Sequence, residues 1–281
     1  MKSLKGKSLK KYPLMKDLQN YVIEHVTSDF AELMDIKCIL DLKTLKLLVH
    51  GVYEKLETDW VKQTIQKGDI VLDVGANIGY YTLTFAKLVG DTGKVFSFEP
   101  ELFNFNLLQK NIEINNYKNV VTENVAISNN VGTTKLYLSN IRTGMHRIYP
   151  SHFCSEDFVK VKTTSLDEYF KDNEFGDKIS FIKMDVEGSE LGVLKGMKNI
   201  FETNRKIKIL MEFVPSCIRE FGAEPQELLK ILQDQNFQFR HTNDDSETIE
   251  SVKNVDNLLQ KFDGEKTDFH PKGTNLICER D

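Results

Sequence analysis

Cysteine is scarce in this sequence. The four present, Cys38, Cys154, Cys217 and Cys278, are widely spaced along 281 residues and form no CxxC pair. That spacing suggests neither a zinc site nor a disulfide framework, and it makes a reducing intracellular compartment the expectation. Long hydrophobic runs are missing as well. No segment approaches the length of a membrane span, and the basic N-terminus lacks the continuous apolar region of a signal peptide. A cytoplasmic chain with no transmembrane segment is therefore expected. Positive charge is not in excess either: 37 basic residues stand against 42 acidic ones, for a net charge of −5. This balance gives no general reason to bind a nucleic-acid backbone. The exception is residues 1–16, which carry six lysines and no acid and leave −11 for the remainder. A tip of this kind is more often a solvated terminus than a phosphate or membrane contact.

The 40% hydrophobic content is enough to build a buried core, and the length suits one substantial α/β domain or two small ones. Residues 14–60 place apolar side chains at helical spacing, as in Leu18, Tyr21 and Val22, then Leu42, Leu45 and Leu48, so an N-terminal helical extension over 1–60 is expected. The pattern then changes. Short apolar strands at 70–74, 94–98 and 120–125 alternate with helices over 80–89 and 101–115, which implies parallel strands joined by crossover helices. An inserted segment near 132–163 breaks this rhythm. Strands are expected at 133–139 and 158–163, with a polar, aromatic stretch between them that forms a hairpin or a loop over the site. The alternation resumes with strands at 179–184, 206–213, 237–241 and 275–279 and helices over 189–195 and 225–234. Residues 61–281 read as one domain with an insertion.

The stretch "GDIVLDVGANIGYYTLTFAKLVG" holds the first chemical signal. Asp73 ends a strand, where ligands of open α/β sheets bind. Gly75 and Gly79 permit a tight turn and close approach of backbone to a ligand. Asn77 stands where a dinucleotide fingerprint would have its second glycine, so the turn suits a polar ligand other than a pyrophosphate. Twenty positions after Gly79 comes Glu99, a carboxylate placed to accept both hydroxyls of a ribose. Asp73 capping the next helix and Glu99 preceding a proline turn are the plain structural alternatives.

These segments, with "TSLDEYF", "ISFIKMDVEGSELGVLKGM" and "ILMEFVP", resemble the FkbM-type methyltransferase family over about residues 65–215. The resemblance implies a Rossmann-like class I fold that uses S-adenosylmethionine, with a seven-stranded mixed sheet of order 3-2-1-4-5-7-6 whose last strand is antiparallel. Carried onto this sequence, it implies that Asp73, Gly75, Asn77 and Gly79 surround the methionine part of the cofactor. Glu99 would bind the ribose, and Asn124, Ala126 or their neighbours in "TENVAIS" the adenine. An acid before a GxNxG turn is electrostatically sensible for a ligand that carries an ammonium and a sulfonium.

"KMDVEGSE" brings Asp185, Glu187 and Glu190 to the end of the fourth main strand, which faces the transferable methyl. Asp185 is the candidate to orient or deprotonate an acceptor hydroxyl, or to join a metal site; Glu187 is a second candidate, and Glu190 suits a helix cap. No dedicated metal ligand set is expected. Lys183 approaches these acids or escapes at the strand end, and Glu212 is a substrate-side candidate. In "RTGMHRIYP", His146 is a candidate base and Arg142 and Arg147 are candidate anchors for an anionic acceptor. The resemblance, and not the residues alone, implies O-methylation of a small molecule, saccharide or natural-product hydroxyl as the leading reading. An RNA or other nitrogen acceptor, an NAD-dependent oxidoreductase and a non-catalytic cofactor-binding protein are the rivals.

Overall fold

The computed structural model describes residues 54–139, 143–152, 154–263 and 272–280. The helices expected before residue 54, with Cys38 and the lysine-rich tip, lie outside the described residues. The chain enters with α1 (Lys55–Thr64) and then alternates: β1 (Ile70–Val74), α2 (Tyr80–Val89), β2 (Lys94–Phe98), α3 (Leu102–Ile114) and β3 (Val120–Glu123). A second group follows, β4 (Ala126–Ile127), β5 (Gly132–Ser139) and β6 (Cys154–Thr164), then the short α4 (Leu166–Tyr169). The alternation resumes with β7 (Ile179–Met184), α5 (Glu190–Lys195), α6 (Lys198–Thr203), β8 (Lys208–Phe213), α7 (Pro215–Glu220) and α8 (Pro225–Asp234). It closes with β9 (Gln238–Asn243), β10 (Thr248–Ser251), α9 (Val255–Phe262) and β11 (Thr274–Glu279).

The main sheet runs β10-β9-β11-β8-β7-β1-β2-β3. Strands β3, β2, β1, β7 and β8 pair in parallel, and β11 is antiparallel to both β8 and β9. Seven of these strands give the expected order 3-2-1-4-5-7-6. The eighth, β10, is a correction: it pairs antiparallel with β9 at the edge. Its sequence, TIES, is polar and largely exposed, so it carries no apolar alternation from which a strand could be read. Helices α6, α7 and α9 were also unexpected; α6 and α7 are only 6 residues each, too short for a periodic signal. The insertion forms its own sheet, β4-β6-β5, and β6 begins at Cys154, inside the stretch that the sequence left irregular.

Central strands are buried from both sides because each is predominantly apolar, with Asp73, Ser97 and Lys183 as buried polar exceptions. On one face Trp60 of α1 and Phe85 of α2 each sit with ring centroids 5.6 Å from Phe181 of β7. On the other, Phe96 packs edge-on to Phe170 at 5.1 Å and Phe98 to Tyr169 at 5.0 Å. Truncating a ring such as Phe181, which is fully buried, costs about 3–5 kcal/mol by lost transfer energy and the cavity left behind. No helix among the described residues is long and apolar enough to cross a membrane.

Among the described glycines, the closest approach is where the turn after β1 meets the end of β7. A Cβ on Gly75 (φ +83°) would lie 1.8 Å from the Asp185 carbonyl oxygen. Gly222 also has positive φ, +90°, but nothing lies within 4 Å of its missing Cβ. Gly75→Ala should therefore cost clearly more than Gly222→Ala, whose penalty is the left-handed backbone alone, about 1 kcal/mol. Thermal unfolding checks this: a shift of roughly 4–8 °C or more for Gly75→Ala, against about 2–4 °C for the control.

Candidate active site

The turn after β1 is fixed by backbone bonds across the sheet. Gly75 and Ala76 donate their N–H groups to the Phe98 carbonyl, both at 3.0 Å, and Gly79 N–H closes the turn on Ala76 O at 2.9 Å. Asn77 occupies the left-handed region at φ +49°, which asparagine tolerates better than most residues. Its N–H donates to Glu99 Oε2 at 2.8 Å, while Glu101 N–H donates to Glu99 Oε1 at 2.8 Å. Glu99 is 5% exposed, and burial pushes its pKa up to about 8 despite those two amides. The Asn77 side-chain oxygen is buried and has no hydrogen-bond partner. An orphaned acceptor of this kind needs a donor from outside the chain.

Gly75, Asn77, Glu99 and Ala126 line one cavity, with Asp185 and Glu187 at its other side. Three residues expected around the cofactor stand elsewhere. Asp73, 1% exposed, accepts the Thr82 hydroxyl at 2.5 Å, and that hydroxyl also contacts Ser97 Oγ at 2.8 Å. Burial raises the Asp73 pKa against the pull of Lys183. Gly79 is a packing residue, since a Cβ there would lie 2.6 Å from Leu108 of α3. Asn124 uses its amide group to hold the Glu99 and Pro100 carbonyls, each at 2.9 Å, and so braces the strand end that carries Glu99. A wider groove lined by Lys208, Arg240 and Arg280 lies at the opposite end of the parallel strands, away from these residues.

On the β7 side, Lys183 is buried and donates to Asp185 Oδ2 at 2.9 Å. Its ammonium lies 4.7 Å from the centre of the Tyr81 ring. Burial alone would lower its pKa, but Asp185, Glu54 and Asp73 hold it above the ordinary value. Glu54, which the sequence did not single out, accepts the Tyr81 hydroxyl at 2.6 Å, and burial brings its pKa to about 7. Glu190 accepts the N–H groups of Val186 and Gly188, both at 3.2 Å. It thus braces the loop that carries Glu187 from beneath, and burial raises it to about 7. Asp185, Glu187 and Glu212 each place a carboxylate oxygen within 4.8 Å of the others. Burial, reinforced by Glu187 and Asp185, pushes Glu212 well above the carboxylate range. The trio can accept hydroxyl protons or share a cation, with Lys183 and Arg147 already neutralising two of its members.

The inserted segment forms the remaining wall. Gly144, His146 and Ile148 line the cavity, and a Cβ on Gly144 would lie 2.9 Å from Asn77 Nδ2. His146 Nδ1 accepts the Ser139 N–H at 2.9 Å, so in the neutral ring the hydrogen resides on Nε2. Arg142 lies outside the described residues. Arg147 is not the acceptor anchor that the sequence offered: its guanidinium is committed to Glu187 at 3.1 Å and Glu220 at 3.2 Å. Nothing in the composition of "MHRIYP" marked that residue for burial.

A family model described as a methyltransferase FkbM domain matches residues 73–239, more than half of the chain. The chain belongs to this family. The methyltransferase is 27% identical over 223 residues to the hexuronic acid methyltransferase AglP of Haloferax volcanii, covering 79% of this chain and 80% of the relative. It is 26% identical over 223 residues to methyltransferase sdnD of Sordaria araneosa, covering 68% and 83%. Among solved structures, an FkbM methyltransferase from Methylobacillus flagellatus gives a TM-score of 0.44 at 13% identity, covering 94% of this chain and 59% of the other. The enzyme uses S-adenosylmethionine as its methyl donor, and the orphaned Asn77 oxygen beside Glu99 fits that role. The oxidoreductase and non-catalytic readings fall with the family assignment.

The buried acids set a pH dependence. Between the ordinary carboxylate value of 4.5 and about 8, folded Glu99 keeps a proton that the unfolded chain loses. Its contribution to stability is therefore greatest below that ordinary value and is lost as the pH rises through about 8. Glu187, raised to about 8, acts in the same direction. The cofactor-free enzyme should lose denaturant midpoint between pH 6 and pH 9, and Glu99→Gln should flatten the decline.

Proposed function

We propose that this methyltransferase carries a methyl group from S-adenosylmethionine to a hydroxyl of a saccharide or related natural product. The observation that carries the reading is one cavity lined on one side by Asn77 and Glu99 and on the other by Asp185 and Glu187. The relative from Haloferax volcanii, named for hexuronic acid, supports a saccharide acceptor. In this reading residues 61–281 are the catalytic domain, 132–163 an insertion over the site, and 1–60 an extension. Three described cysteines are free, which supports a cytoplasmic location. The net charge of −5 disfavours RNA, the rival acceptor.

Bound S-adenosylmethionine supplies an electrophilic methyl on a sulfonium sulfur. Asn77 and Glu99 hold the donor, and Ala126 gives a small wall beside it. Asp185 accepts the acceptor hydroxyl proton, with its carboxylate kept in place by Lys183. Glu187 takes a neighbouring hydroxyl, and His146, whose Nδ1 accepts the Ser139 N–H, offers its Nε2–H as a donor on the covering wall. Burial by the inserted segment excludes water, which would otherwise compete with the acceptor for alignment.

A labelled-methyl screen over saccharides, natural-product alcohols, lipids and RNA, with and without divalent metal, tests the acceptor class; incorporation into RNA alone would overturn the reading. Glu99→Ala should raise the dissociation constant for S-adenosylhomocysteine by about tenfold, the loss of a hydrogen bond to the donor. Asp185→Asn should lower kcat by about 100-fold or more while leaving that dissociation constant within about threefold. Unchanged turnover in Asp185→Asn would remove its assigned role.

A further inference from the structure

Residues 143–152 cross from the small sheet to the loops at the carboxyl end of the main sheet, and one side chain makes most of that connection. Arg147 is bridged by its backbone to β5, with Tyr137 N–H donating to Arg147 O at 2.7 Å and the reverse bond at 3.1 Å. Its guanidinium points away from that bridge and is 1% exposed. One end donates to Ser151 Oγ at 2.8 Å and to Glu220 Oε2 at 3.2 Å; the other donates to Glu187 Oε2 at 3.1 Å and contacts Cys217 Sγ at 3.4 Å. Tyr149 reinforces the junction by donating its hydroxyl to Glu187 O at 2.7 Å, with its ring 5.5 Å from Phe221.

Glu187 receives its orientation from outside its own element. It sits at φ +55° beside Gly188 at φ +101°, on a turn between β7 and α5. Side-chain direction in such a turn is set by what the carboxylate bonds to, and the charged donor here comes from the inserted segment. A planar guanidinium held by two carboxylates is a rigid fork, which a lysine would not reproduce. The same segment brings Gly144 and His146 to the cavity that Glu187 lines.

We infer that Arg147 is a positioning residue for Glu187: it sets that carboxylate at the cavity edge, so that the acceptor side of the cleft is complete only while residues 143–152 are docked. The inference rests on the methyl-transfer reading of the cleft. It assigns the insertion a part in building the site as well as covering it, and it places Arg147 behind Glu187 with no contact to the acceptor.

The full chain and four variants, Arg147→Met, Arg147→Lys, Glu187→Gln and the Arg147→Met/Glu187→Gln double, test it by amide hydrogen exchange and by calorimetry with S-adenosylhomocysteine. Arg147→Met should speed exchange of the Tyr137 and Arg147 amides by about tenfold or more, with β1 and β7 amides within about twofold of the parent. The dissociation constant for S-adenosylhomocysteine should stay within about threefold of the parent, because Glu187 stands on the acceptor side, and bridge-amide exchange in the double variant should match Arg147→Met alone because both changes break one interaction. Arg147→Lys should recover only part of the exchange effect. Faster exchange throughout the main sheet, parent-like exchange at the bridge, or effects that multiply in the double variant would each overturn the inference. If Arg147→Met does not fold, Arg147→Lys and Glu187→Gln must show the same localised exchange for the inference to stand. Failure of the parent protein to bind S-adenosylhomocysteine would count against the cofactor reading, while the exchange arm would still decide the role of Arg147.

Discussion

The site depends on how closely β1 and β7 meet where the order of the sheet reverses. Asp185 N–H donates to Val74 O at 2.9 Å, extending the ladder one residue past the end of β7, and the Gly75 turn lies against the Asp185 carbonyl with no room for a side chain. The two strands then diverge, and the crevice so formed is where open α/β sheets take their ligands. Asn77 and Glu99 come to line one cavity with Asp185 and Glu187 because one glycine lets two backbones touch. Asp73 and Lys183 are register partners in the same pair of strands, so the charges beneath the crevice are coupled by the same contact.

Around that contact the enzyme buries more carboxyl groups than cationic ones. Glu54, Asp73, Glu99, Glu187, Glu190 and Glu212 all have pKa values raised chiefly by burial, while Lys183 and Arg147 are the cations that pair with acids at the cleft. Unmatched carboxylates in a low-dielectric setting either keep protons or attract cations. A donor bearing an ammonium and a sulfonium fits that field, and the field opposes an additional anion unless protons are taken up with it.

Much of this was legible in the sequence, and the limits have physical causes. The parallel half of the sheet announced itself through largely apolar runs that lead to Asp73, Glu99 and Asp185, because a strand buried on both faces is predominantly apolar. The turn residues after β1 were readable because positive φ favours glycine and, at position 77, asparagine, whereas Glu187 takes the same region without such a signal. What the residues alone did not separate was contact from support. Asp73, Gly79 and Asn124 carry the same motif as Gly75, Asn77 and Glu99, yet one group packs behind the wall that the other presents. The role of Arg147, and Glu54 altogether, escaped because their partners lie far along the chain, Glu187 and Glu220 for the first and Tyr81 for the second. Strand β10 escaped because an exposed edge needs no apolar face.

The small sheet has one further property. Ala126 and Ile127 pair with Thr163 and Thr164, so the polypeptide leaves for the insertion and returns from it at two adjacent points, while Ala126 also faces the cavity. Such a closed excursion can be lengthened, shortened or exchanged without pulling on the strands that hold Asn77 and Glu99. In the proposed reading, changes within residues 128–162 would reshape the covering wall while the strands that carry Asn77 and Glu99 stay in place.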